Sequence, residues 1–103
     1  MTVATRIRAE AQGDRTTVRV LVSHAMESGR RKDDAGATVP AWFIQHFRVN
    51  CNGQTVMSAY WSTAVSKNPF VQFSFKGGKA GDTIAVQWID NHGEQRTDEA
   101  LIT

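Results

Sequence analysis

The chain of 103 residues carries 12 Lys and Arg against 10 Asp and Glu, a net charge of +2, with 41% hydrophobic and 21% charged residues. That length fits one domain, residues 1–103, and that balance argues against disorder. The cations read as spread along the chain, so nucleic acid is not an expected partner, and no apolar run reaches the roughly 20 residues a membrane span needs.

From the start, Val3, Thr5, Ile7, Ala9 and Ala11 share one face of a first predicted strand, with Arg6, Arg8 and Glu10 opposite. Gly13-Asp14 turns the chain, and Val18, Val20 and Val22 line one face of a second strand. A long loop, "SHAMESGRRKDDAGATVP", follows over residues 23–40; loops of this length in small domains are functional or disordered. "AWFIQHFRVNC" then places Phe43, Phe47, Val49 and Cys51 on one side, and Trp42, Ile44, His46 and Arg48 on the other. Asn52-Gly53 is a strong hairpin signal, because a type I′ turn demands positive φ at both residues.

"QTVMSAYW" returns antiparallel. Beyond Asn68-Pro69, "FVQFSFK" turns Val71, Phe73 and Phe75 inward. "TIAVQWID" aligns Ile84, Val86 and Trp88, and "RTDEALIT" closes the chain. About seven short antiparallel strands and no sustained helical period predict an all-β, immunoglobulin-like sandwich, with a small closed barrel as the rival.

The residues offer little catalytic constellation. His24, His46, His92 and Cys51 are acceptable ligands for a mononuclear metal centre, yet they lie in separate elements, and Cys51 and His46 have opposite parity. Ser23 and His24 are neighbours on a strand and so point apart. The acidic groups Asp33-Asp34, Asp90 and Asp98-Glu99 read as solvated turns, and "KGGKAGD" lacks the helix that a phosphate site requires. Cys51, the single cysteine, excludes an intrachain disulfide and a multi-thiolate zinc site. No cofactor is expected.

Two features remain. Arg30, Arg31 and Lys32 in the long loop are either a solvated tip or docking cations. Leu21, Trp42, Ile44, Met57, Trp61, Phe70 and Ile89 have the wrong parity for a single core. Apolar residues gathered on an outer face mark a partner surface.

"LVSHAMESGRRKDDAGATVP", "NCNGQTVMSAYW", "AVSKNPFVQFSF" and "VQWIDNHG" together resemble the SoxZ family, across residues 21–93. The most specific stretch holds Ser23, His24, Met26, Glu27, Ser28, Gly29, Arg31, Lys32 and Asp33. Asn52-Gly53-Gln54, Asn68-Pro69-Phe70, Trp88 and Asp90 fit as well. Ala25 stands where the family often has proline, and Ala41-Trp42-Phe43 where it often has basic residues. The resemblance implies a non-catalytic subunit of the SoxYZ carrier complex of thiosulfate oxidation. Its expected partner is SoxY, whose cysteine arm carries the sulfur, with transient contacts to SoxA/SoxX, SoxB and SoxC/SoxD. It also implies a periplasmic location reached by export with SoxY, since "MTVATRIRAEAQGDR" shows no signal peptide. The contact residues it suggests are Met26, Glu27, Arg30, Arg31 and Lys32 in the loop, with Leu21, Trp42, Ile44 and Ile89 on the apolar wall. Cys51 is a candidate interchain thiol. A mononuclear metal-binding oxidoreductase on a similar sandwich is the alternative.

Overall fold

The structure is a computed structural model that describes residues 2–103. Seven strands follow in order: β1 (Arg6–Gln12), β2 (Arg15–Leu21), β3 (Ile44–Cys51), β4 (Gln54–Tyr60), β5 (Phe70–Lys76), β6 (Thr83–Asp90) and β7 (Gln95–Leu101). They form two antiparallel sheets, one ordered β1-β2-β5 and the other β4-β3-β6-β7. The described residues hold no helix, so the all-β sandwich read from the alternation stands.

The core forms where period-two apolar faces of the two sheets meet. Val18 and Val20 come from β2, Phe47 and Val49 from β3, and Ile84, Val86 and Trp88 from β6, all buried. Burying each large side chain contributes roughly 1.5–3 kcal/mol, the main favourable term in a domain of this size. The C-terminus helps join the sheets. Thr103 donates its N–H to the Ala9 carbonyl at 2.9 Å, and its own carbonyl accepts from Ala11 N–H at 3.0 Å. Asn52 and Gly53 adopt φ of 49° and 84°, the type I′ geometry expected between β3 and β4.

The outward set read from parity needs correction on β3. The pairing of β3 with β6 shifts register between Ile44 and His46. A bulge of this kind changes which face the residues before it occupy. Ile44, expected on the outer wall, is therefore fully buried beside Phe47. Trp61 is half-buried and stacks on Phe47 with centroids 4.6 Å apart, and Met57 packs against the core from β4. Leu21 and Phe70 face water side by side on the β1-β2-β5 sheet, and Ile89 faces water on the other sheet. Among the described residues, the seven residues read as outward do not gather into one apolar wall.

Candidate functional site

The long loop between β2 and β3 is a finger with an ordered neck. Glu27 and Trp42 exchange backbone hydrogen bonds at 2.6 and 3.0 Å. Further out, Lys32 and Thr38 bridge, and Val39 N–H donates to the Arg31 carbonyl at 2.8 Å. The Asp33 carboxylate caps the turn by accepting from Ala35 N–H at 2.9 Å and Ala37 N–H at 3.0 Å. The molecule is elongated, 53 Å along its long axis against 20 and 19 Å in the other directions.

The finger stands on a buried polar cluster. Asp90 is 2% exposed, and its carboxylate accepts four hydrogen bonds. Oδ2 takes the Trp42 indole N–H at 2.8 Å and His24 Nε2–H at 3.0 Å. Oδ1 takes the backbone N–H groups of His92 and Glu94 at 2.9 and 3.0 Å. Burial pushes this carboxyl up, but the bonds from His24, Trp42, Glu94 and His92 outweigh it and hold Asp90 below the ordinary 3.8.

The tautomer of His24 follows from its other nitrogen. Met26 N–H faces Nδ1 at 3.0 Å, so Nδ1 accepts and the proton sits on Nε2. His24 also exchanges backbone bonds with Asn68, giving its N–H to Oδ1 and accepting from Asn68 N–H, both at 3.0 Å. The ring meets Trp88 edge-on at 5.3 Å, and Trp42 stacks flat on His92 at 5.1 Å. Met26, at φ 47°, is 6% exposed, and its Sδ lies 3.3 Å from Ile44 N–H. Met26 thus shapes the finger base from within and presents little surface to a partner.

This cluster resembles a catalytic His–Asp dyad and cannot act as one. A general base needs a free lone pair facing a nucleophile. Both imidazole nitrogens of His24 are engaged, one by a carboxylate and one by a backbone donor. Sequence reasoning passed over His24 and Asp90 as a pair, although a signal was present. His24 continues the inward parity of Val18, Val20 and Val22, and Asp90 that of Ile84, Val86 and Trp88. A polar residue extending an apolar stripe must find a buried partner, and these two find each other.

The remaining candidates scatter. Arg31 donates from Nε to Glu27 Oε1 at 3.0 Å; that bond is the main reason the Glu27 carboxyl lies below its ordinary value and Arg31 above its own. Arg30 and Lys32 are exposed, with no ion-pair partner among the described residues. Trp42 is half-buried with its N–H spent on Asp90. His46 stacks on Tyr60 and pairs with Ser58 Oγ at 2.9 Å. Cys51 lies at the opposite end of β3 from Ile44, half-buried, its thiol pushed up by burial and by the nearby Asp82 carboxylate. The four metal-ligand candidates are therefore not brought together, and the described residues hold no group of three or more His, Cys, Asp or Glu able to grip a metal ion.

The family described as "SoxZ: Sulphur oxidation protein SoxZ" matches residues 5–101. No curated protein matches the chain. A crystal structure of superoxide reductase in the oxidized state aligns with a TM-score of 0.64 at 15% identity, covering 96% of this chain and 86% of that one. At such identity the likeness concerns the fold alone.

Proposed function

The chain belongs to the SoxZ family of sulphur oxidation proteins, and we propose that it serves there as the non-catalytic subunit of a sulfur carrier complex. In this reading it pairs with SoxY, whose cysteine arm holds the sulfur intermediate, and helps present that arm to SoxA/SoxX, SoxB and SoxC/SoxD. It works in the periplasm, exported together with SoxY. The family match over nearly the whole chain carries the reading. Two features of the fold support it. The buried His24–Asp90 pair is fully consumed in holding a finger in place, and residues 30–38 of that finger are all exposed.

The docking cations narrow to Arg30 and Lys32, because Arg31 is bound to Glu27 within the finger. Charged rims mostly set encounter rate and specificity. The double variant Arg30→Glu/Lys32→Glu is expected to slow thiosulfate oxidation by the reconstituted enzymes. Native mass spectrometry should still show a 1:1 complex with SoxY. Unchanged turnover at physiological salt would remove the finger from the mechanism, and absence of any 1:1 complex would remove the carrier reading itself.

A further inference from the structure

Charge that reads as dispersed along the sequence is segregated by the fold. Alternation leaves every second residue of β1, β2 and β5 facing outward. Cross-strand register sets them in rows: Arg6, Leu21 and Phe70; Arg8, Arg19 and Gln72; Glu10, Thr17 and Ser74; Gln12, Arg15 and Lys76. Five cations and one carboxylate give this face +4, while the whole chain carries +2. Everything else therefore sums to −2.

The face also opposes like charges. Arg8 lies directly across from Arg19, and Arg15 directly across from Lys76. Such pairs destabilise a sheet that has nothing laid over it. Glu10 reaches Arg19 at 3.8 Å, and among the described residues neither Arg6 nor Arg8 has an ion-pair partner. Beside these arginines lies an open recess of about 400 Å³ lined by Arg6, Ile7, Arg8, Arg19, Leu21 and Phe70. Phe70 is 60% exposed and Leu21 40% exposed.

We propose that the outer face of the β1-β2-β5 sheet docks an acidic polypeptide. Its carboxylates pair with Arg6, Arg8 and Arg19, and one of its apolar side chains fills the recess between Leu21 and Phe70. Arginine suits this role because its planar fork matches a carboxylate and stacks on aromatic faces. The same side chains favour a polypeptide over a phosphate polymer or a lipid surface. Glu10 sits inside the cationic rows, where it would repel a continuous run of phosphates. The recess gains from an apolar anchor, and a phosphodiester backbone has none. This surface is separate from the finger and goes beyond the carrier reading, since it requires only a partner of that chemistry.

The test titrates the full chain, labelled with ¹⁵N, with an alternating glutamate–leucine peptide. Amide shifts should gather on β1, β2 and the start of β5, and should fade as salt screens the pairs. Arg8→Gln/Arg19→Gln should weaken the peptide about tenfold, the low end of coupling for close charge pairs across an interface. The same variant should melt at or above the temperature of the parent chain, because it relieves an opposed pair of charges. Arg30→Glu/Lys32→Glu should leave the peptide affinity unchanged. The proposal is overturned by no shifts at all, by shifts confined to other surfaces, or by unchanged affinity in the Arg8/Arg19 variant. Tighter binding of oligothymidylate or of phosphatidylglycerol vesicles than of the peptide would also overturn it.

Discussion

At the base of the finger, His24, Met26 and Asp90 are buried, and Asp90 alone gathers four donors from three parts of the chain. At the tip, residues 30–38 are all exposed, and the Asp33 cap and a few backbone bonds hold the turn. The base is where removing one group leaves several buried partners unsatisfied; the tip is where charge can change at little cost to folding. The difference separates the two demands on a docking element. Position is fixed by buried hydrogen bonds, and recognition is left to side chains that folding does not need.

The comparison breaks most severely at Asp90. Asp90→Asn keeps the shape but turns an amide N–H₂ toward two donors, either the His92 and Glu94 N–H groups at Oδ1 or the His24 and Trp42 N–H groups that share Oδ2. Each buried donor left facing that N–H₂ costs about 1–3 kcal/mol. Urea unfolding followed by tryptophan fluorescence should show that loss as a lower midpoint. A drop under 1 kcal/mol, on the order of a surface change, would mean the base is not the anchor described here.

A gentler perturbation is acid. The folded Asp90 carboxyl titrates below its ordinary 3.8, so it contributes stability that is present above that pH. The contribution is lost as pH falls through the depressed folded value. Asp98 is held low as well: burial raises it, but Arg96 and the Thr5 N–H outweigh that. Asp98 remains in the Asp90→Asn variant, so comparing the acid limbs of the two proteins isolates Asp90. The parent should lose stability more steeply below about pH 4, where the carboxylate begins to protonate. Parallel limbs would contradict the assignment of Asp90 as the charged acceptor.

Much of the fold was legible because period-two alternation survives wherever pairing is regular. Val18, Val20, Ile84, Val86 and Trp88 read as inward and are buried. Ile44 misled because a bulge is a property of two strands pairing and leaves no mark on one strand's alternation. Trp42 misled for a related reason: its apolar ring reads as a docking group, while its N–H belongs to a carboxylate 48 residues away. The residues behind the family resemblance are instructive in the same way. His24, Met26, Asn68, Trp88 and Asp90 are distant in sequence and meet at the finger base, where they act as pegs and not as reagents. The basic face was the least legible feature, since Lys76 joins Arg15 only once β5 pairs with β2.

The smallest expected effect lies at the neck, where base and tip meet. Gly29 has φ 84°, a conformation that costs a side-chain-bearing residue roughly 1–2 kcal/mol. An added Cβ would also sit 3.3 Å from Ala41 Cβ. Gly29→Ala should therefore strain the neck while leaving the sandwich body intact. Hydrogen exchange should speed up about tenfold at Glu27 and Val39, whose N–H groups close the finger, and stay unchanged at Val86 in the core. Adding Ala41→Gly relieves the close approach but not the backbone strain. Since the positive φ is the larger cost, the double variant should recover only a minor part of the protection. Full recovery would show that crowding against Ala41 sets the neck, and equal acceleration at Val86 would show that the finger and body open as one unit.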